Sequence, residues 1–597
     1  MKLPYLNEIA TSRSVVEEFR GYNHNLRISD GEFYDMKNLS SAYCPVLAPR
    51  SKRGVYEYPE GTGDNHTPNG LITKDALCYV DGTKLFINNK EIIGLELTDS
   101  PKQLISMGAY IIIMPDKKYI NTKDFNDKGN IETTFPAEEG TTLTVTYEMC
   151  RIDGTVYTDV IKSSTEPENP TNMQYWIDTS STPHALKQYA ETSKVWNQIA
   201  TCYIRISAPN IAANFKKYDA VKISGLPVDQ VPQLKDLEGV ISPLWDAYHD
   251  EEDASNDYIV VVGFIDEVAT HESQLRLEQR MPVMDFIIES GNRLWGCRYG
   301  ENANGEVVNE IYASKLGDFK NWNCYMSLST DSYFASLGTD GQFTGAITHL
   351  GYPLFFKENY VHKVYGNYPA NFQIQTTACR GVQKGCGKSL AIVNEVLYYK
   401  SNGGICAYDG SLPAEISSAL GEISYSDAVA HGHNNKYYIS MKDNAGQYNL
   451  FVYDAKKGMW HKEDDLKVDD FCSCDGELYA IVNGKIITLL GSGKKDPDAV
   501  KWMAESGVIG MYTPDKKYIS RLNIRMSLDI GSRVSFYAQY DSCGEWEQLA
   551  MLSGTSLRSF SIPIRPKRCD HFRLRIVGEG DARIYSIVKT LEQGSDM

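Results

Sequence analysis

The sequence predicts an all-β protein: a β-propeller of six or seven blades with an inserted β-rich domain and a C-terminal antiparallel β-sandwich. Three observations predict it. From Ala346 to Ser417 one antiparallel unit is written twice. Each copy has a short apolar strand, a turn carrying Gly, Asn or Glu, an aromatic strand (Pro353-Leu354-Phe355-Phe356, then Val396-Leu397-Tyr398-Tyr399) and a closing strand ending on Tyr365 or Tyr408. A repeat of about 40 residues with turn chemistry between short strands is the pattern of propeller blades. The 39 Tyr and 47 Gly favour strands and turns over helices. Beyond residue 498, apolar residues alternate strictly with polar ones, as in a sheet with one wet face.

The N-terminal arm comes first. Its Pro45 and Pro49 prevent a helix and predict an extended segment, which either clasps a neighbour or completes a sheet. After a polar loop at 60–70, Leu77 to Ile93 forms a meander turned by Asp81-Gly82 and Asn88-Asn89, pairs that tolerate positive φ. Leu104 to Asn121 starts another unit. Residues 1–135 are thus assigned to the arm and first blades. The grammar changes over 136–280, where Leu143, Val145 and Tyr147 alternate and an acidic loop, His249 to Asp253, separates later strands. This is read as a β-rich domain inserted between blades, on a rim where partners are met. Blades resume over 281–490, with Lys315 to Trp322 read as an interblade loop. The Gly/Lys/Asp-rich linker 491–498 opens the sandwich, 491–597, where Leu522, Ile524, Met526 and Leu528 face one side, as do Val534, Phe536, Ala538 and Tyr540.

Charge and composition narrow the chemistry. The net charge of -17 opposes a protein that grips nucleic acid by neutralising phosphates, but not a surface along which DNA passes. The N-terminal stretch lacks the apolar core of a signal peptide, and no apolar run approaches the ~20 residues of a membrane helix. The 13 Cys are scattered, odd in number and without a metal-site spacing. Cys472 and Cys474, Cys569-Asp570-His571, and His431 with His433 are read as structural, so no metal and no cofactor is expected.

No catalytic residue is assigned. Gly385-Cys386-Gly387-Lys388-Ser389 imitates a phosphate loop, yet Val382 stands where its first glycine belongs and a strand follows instead of a helix, so it reads as a strand-leading turn. Asp331 and Asp340 resemble Asp-box acids without the required Gly and Trp, and read as turn residues. Tyr537, Tyr540 and Trp546 are weighed as a glycan-stacking platform against ordinary sheet packing. Arg565, Lys567, Arg568, Arg573 and Arg575 form a basic patch that either meets an acidic neighbour or is simply solvated.

The segments DMKNLSSAYCPVLAPR, YWIDTSSTPHALKQY, NRLWGCRYG, NEIYASKLGDFKNW, GYPLFFKENYVHKVYG, KYISRLNIRM and RCDHFRLRI together resemble tail-associated structural proteins of Firmicutes phages and prophages. The blade organisation is similar to the β-propeller nozzle and packaged-DNA stabilisation proteins of short-tailed phages. The resemblance implies a non-enzymatic virion component of the tail, assembled in the host cytoplasm. It also implies a homo-oligomeric ring, often a hexamer, around the DNA exit channel, in contact with other tail or portal-adaptor proteins. The alternatives are a tail protein that binds host glycan through its C-terminal sandwich, and a glycan-cleaving tail enzyme.

Overall fold

Seven antiparallel sheets succeed one another in the computed structural model, which describes residues 10–59, 65–301, 305–495, 498–512, 514–554 and 556–593. Blade 1 comprises Pro68–Lys74, Ala76–Asp81, Lys84–Ile87 and Lys90–Glu91. Blade 2 comprises Gln103–Met107, Tyr110–Met114, Lys118–Asn121 and Lys128–Asn130. Blade 3 is Phe286–Ser290, Arg293–Glu301, Val307–Ala313 and Tyr333–Ser336, and blade 4 is Phe343–His349, Tyr352–Lys357, Tyr360–Tyr365 and Gln373–Ala378. Blade 5 is Ala391–Val393, Val396–Ser401, Gly404–Tyr408 and Ala414–Glu415, and blade 6 is Tyr425–His433, Lys436–Asp443, Tyr448–Asp454 and Met459–Lys462. Blade 7 takes Asp470–Cys474, Glu477–Val482 and Lys485–Thr488 from its own stretch, and its fourth strand, Gly54–Val55, from before blade 1.

That borrowed strand closes the ring, because it ties the last blade to the chain that enters the first. The first strands of blades 7 and 1, 1 and 2, 2 and 3, 3 and 4, 5 and 6, and 6 and 7 touch, while blade 5 meets the first strand of blade 4 through Gly387–Ser389. The fold is therefore a seven-bladed propeller. Two-residue turns with positive φ at both positions link the first two strands of blades 3 to 7: Gly291-Asn292, Leu350-Gly351, Asn394-Glu395, Asn434-Asn435 and Asp475-Gly476. Such turns match the right-handed twist of the strands they join.

The inserted domain leaves blade 2 through Thr133–Phe135 and returns through Arg276–Gln279, which pair with each other. Its core joins a four-stranded and a five-stranded sheet through Val145, Tyr147, Ile204, Ile206, Val221, Ile223 and Ile259. A third sheet comprises Ile161–Ser163, Tyr175–Asp178, Ala185–Ala190 and Val195–Gln198. Lys315 to Trp322 is not an interblade loop. It lies within blade 3, between that blade's third and fourth strands, and holds the inserted domain: the Asn321 amide donates to the Tyr218 carbonyl at 2.7 Å and Lys216 pairs with Asp318 at 2.7 Å.

The sandwich also departs from the boundaries drawn on sequence. One sheet is Thr11–Val16, Ala582–Gln593, Lys517–Leu528 and Arg558–Ile562. The other is Gly21–Tyr22, Glu32–Lys37, Lys501–Ser506, Phe572–Glu579, Arg533–Tyr540 and Glu547–Ser553. The N-terminal arm thus completes both sheets of a domain formed mostly by the far end of its own chain. A register of period 2 identifies which face of an arm strand is apolar, but not which distant sheet accepts it. Residues 60–64 of the polar loop and 496–497 of the linker lie outside the described residues.

The sandwich seats on blade 6. Gly21 lies against Met459–Lys462, where a Cβ would approach the Trp460 carbonyl oxygen to 2.3 Å, and its φ of 85° favours glycine. Arg50 and Arg53 meet Glu463 and Asp464 in a four-charge cluster with little solvent access. One apolar core runs from Phe33 and Ile524 in the sandwich through Trp460 to Tyr399 and Leu354 in the blades.

Candidate functional site

The centre of the ring is where all seven blades converge, and each joint there carries its own polar tie. The Lys74 amine donates to the Gly108 carbonyl between blades 1 and 2. Gln103 donates to the Ile287 carbonyl at 2.8 Å between blades 2 and 3, and Thr348 to the Glu289 carbonyl between blades 3 and 4. His349 Nε2 lies 2.6 Å from the Glu395 carbonyl between blades 4 and 5, and the Tyr437 hydroxyl donates to the Ser389 carbonyl at 2.8 Å between blades 5 and 6. His433 Nδ1 lies 2.9 Å from Ser473 Oγ between blades 6 and 7, and Thr73 donates to the Ser473 carbonyl at 2.6 Å between blades 7 and 1. The buried ties, from His349, His433 and Tyr437, give polar groups withdrawn from water a fixed partner.

At the mouth of the channel sits the phosphate-loop imitation. Gly387–Ser389 forms a 3-10 turn that lies against the first strands of blades 4 and 6. The strand Ala391–Val393 follows it, as expected of a strand-leading turn. A Cβ on Gly387 would lie 2.8 Å from the Thr344 carbonyl of blade 4 and 3.0 Å from the Phe286 ring of blade 3. On the other side the Lys388 amine donates to the Asp469 carbonyl of blade 7 at 3.0 Å. Blades two apart therefore meet across the mouth. The Asp470 carboxylate, crowded here, accepts the Leu71 amide at 3.3 Å and its neighbour Phe471's at 3.0 Å. Burial raises its pKa against the opposing pull of Lys388.

The residues singled out from sequence are not brought together. Tyr540 is buried in the sandwich interior. Tyr537, three positions earlier on the same strand, points to the opposite face, so the two cannot form one platform. Trp546 lies on the outer side with the Arg575 guanidinium stacked over its ring at 3.9 Å. Of the basic patch, Arg573 and Arg575 both clamp Glu505, at 3.2 and 2.6 Å, and Lys567 is 3.8 Å from Glu547. Asp331 is buried and accepts the Met326 and Leu328 amides, a loop-forming role. All 13 Cys are free thiols, Cys472 with its sulfur 2.9 Å from Thr73 Oγ1. Among the described residues no group of three His, Cys, Asp or Glu is placed to hold a metal ion, and no helix is long and apolar enough to cross a membrane.

Sequence reading missed several buried cations, three of them in the second strands of blades 3, 4 and 5. Arg293 donates from one nitrogen to the Ser314 and Asp331 carbonyls and from another to Ser329's, beneath the loop 325–332, and burial lowers its pKa to about 10. Lys357 and Lys400 occupy the same place in the twice-written unit. Each reaches back to the preceding loop, Lys357 to the Thr339 carbonyl at 2.8 Å and Lys400 to the Gln383 side chain at 2.8 Å. Burial lowers Lys357 to about 8. Their only sequence signal was recurrence at one repeat position, which their charge disguised as solvent exposure.

No protein-family model matches the chain, and no curated protein does. Solved structures similar to it include the exo-β-1,3-galactanase of Phanerochaete chrysosporium, at 8% identity over 51% of this chain and 95% of that one, with a TM-score of 0.21. The acylaminoacyl peptidase of Pyrococcus horikoshii aligns at 12% identity over 54% and 55%, TM-score 0.23. A bifunctional GH43-CE protein of Bacteroides eggerthii aligns at 10% identity over 52% and 62%, TM-score 0.20. These are enzymes by their names, and the expectation that this chain is not an enzyme is withdrawn on that finding. At such low similarity they assign it no reaction, substrate or catalytic residue.

Proposed function

We propose that the chain is a structural subunit of a phage tail, assembling with further copies into a ring around the DNA path and carrying other tail parts on its mounted domains. The observation that carries this reading is the combination of a propeller bridged across its own mouth with two domains welded to its rim. Phe286, Gly387 and Lys388 bring blades 3, 5 and 7 together, and on this reading the DNA path runs between copies rather than through one subunit. The welds, Asn321 to the inserted domain and Arg50 with Arg53 beside the sandwich, make one stiff block from three domains. A stiff block with few open edges is suited to closed symmetric assembly. The sequence resemblance to tail proteins of Firmicutes phages supports the same reading. So does the net charge of -17, since an acidic wall lets a polyanion slide without adhering.

Electron microscopy of the purified full-length protein and of virions tests it. Rings on the tail axis are expected, with the copy number read directly from the images. Monomers at high concentration, or particles at the tail periphery alone, would sink the reading.

A further inference from the structure

Outer strands are where a propeller risks unwanted pairing, since each exposes a row of unpaired N–H and C=O groups. Most outer strands of this ring are guarded. Blades 1, 2 and 5 end in Lys90–Glu91, Lys128–Asn130 and Ala414–Glu415, each only two or three residues long with a charge in it. Met459–Lys462 of blade 6 lies under the sandwich, and Gly54–Val55 of blade 7 is covered by Lys494–Lys495. Blades 3 and 4 differ. Tyr333–Ser336 and Gln373–Ala378 contain no ionisable residue other than a tyrosine and no proline, and among the described residues neither is paired on its outer side. Gln373–Ala378, with six residues, is the longest outer strand of the ring.

Between these two blades lies a cleft of about 560 Å³ lined by Tyr325, Leu328, Tyr368 and Pro369. Tyr325, Leu328 and Tyr368 are exposed although apolar. The loop of Tyr325 and Leu328 is pinned from beneath, because Arg293 gathers its carbonyls and Asp331 its amides. A rigid, exposed apolar rim beside an unguarded edge is a preorganised docking surface.

We propose that Gln373–Ala378 receives the strand Thr11–Val16 of a second copy, which adds to blade 4 as a fifth strand and makes the joint between neighbours in the ring. This rests on the ring reading above. On the ring reading the occupant is a second copy, and charge limits where two copies can meet. Two chains each carrying -17 repel over most of their surfaces and approach most readily where the acceptor edge is uncharged and the donor bears only Arg13. Thr11–Val16 is an outer strand of the sandwich, unpaired on its outer side among the described residues, also six residues long, with Val15 exposed on it. Donor and acceptor are different surfaces, so the contact is heterologous and propagates from copy to copy until it closes.

Sedimentation velocity and electron microscopy on full-length protein test this with two variants. Gln373→Lys with Gln375→Lys blunts the acceptor at exposed positions, and Val15→Lys blunts the donor. Each is expected to weaken association by about tenfold or more while leaving the melting temperature unchanged. Mixed in equal amounts, the two variants are expected to form dimers that grow no further, since one intact donor meets one intact acceptor. If both variants form rings as the unaltered protein does, the joint lies elsewhere and the inference fails while the ring reading stands. If the variants are monomeric and their mixture makes no dimer, the two strands do not meet and the inference fails. If the unaltered protein never assembles, the ring reading falls and this inference with it.

Discussion

Arg293 is the residue whose placement costs most and explains most. A guanidinium out of water loses several kcal/mol of hydration, and only a complete set of acceptors offsets that loss. Arg293 has them: the carbonyls of Ser314, Ser329 and Asp331, with the Phe372 ring 5.7 Å from its carbon. Arg293→Leu strips partners from those buried carbonyls, and a loss of about 3 kcal/mol is expected. The same change frees the loop 325–332, so limited proteolysis is expected to cut there before anywhere else in blade 3. Unchanged melting and an uncut loop would show that other contacts hold it. The sandwich teaches a related lesson at single residues. Tyr537 and Tyr540 are three positions apart on one strand, and an odd spacing at period 2 puts them on opposite faces, so their failure as a joint platform follows from the spacing alone.

At the scale of elements, blades declare themselves where an aromatic second strand repeats, as in Leu354-Phe355-Phe356 and Leu397-Tyr398-Tyr399, because burial on both faces demands a continuous apolar run. What sequence does not reveal is non-local pairing. Gly54–Val55 is two residues long and joins a strand more than 400 residues away, and Thr11–Val16 joins a still more distant one. Nothing local encodes such partners. The turn Gly387–Ser389 is an intermediate case: its glycines were visible, but the reason for them, a neighbour from blade 3 and another from blade 4, was not. Gly387→Ala places a methyl 2.8 Å from the Thr344 carbonyl and 3.0 Å from the Phe286 ring. Because backbone cannot yield as a side-chain tip can, a destabilisation of about 1–3 kcal/mol is expected. Chemical denaturation of Gly387→Ala beside Gly385→Ala checks it, although Gly385 has φ +81° and open space, so its own loss reports backbone strain alone. Equal losses would mean that the mouth has slack.

For the whole molecule, the balance of buried titrating groups sets how the propeller answers acid. His362 lies between Thr339 and Thr376, and burial lowers its pKa to about 4. His461, beneath the sandwich beside Lys436, Asp454 and Lys457, is lowered by burial to about 3. Unfolded, both bind a proton near pH 6.5, so the unfolded state holds more protons and stability falls as pH drops below that value. Each contributes a loss of about 2 kcal/mol between pH 6.5 and 5. Asp219 acts in the opposite sense. Buried at the junction of the inserted domain, with Asp318, Lys216 and Lys315 nearby, it is raised by desolvation to about 6. The folded state takes up its proton first, which contributes about 1 kcal/mol of stability on going from pH 7 to 5. His431, which burial also lowers to about 4, adds to the loss, while Asp470, raised by burial, acts with Asp219; the histidines are the more numerous, so the apparent melting temperature is expected to fall between pH 7 and 5. Asp219→Asn separates the contributions: at pH 7 it removes the cost of an ionised buried carboxylate and raises the melting temperature, and on acidification it steepens the fall because the compensating proton uptake is gone. Calorimetry of both proteins across that range measures the difference. A parallel pH dependence in the two would mean that Asp219 is already neutral at pH 7 or solvated at the junction. A fall confined to the variant would mean that proton uptake by Asp219 cancels the histidine loss in the unaltered protein.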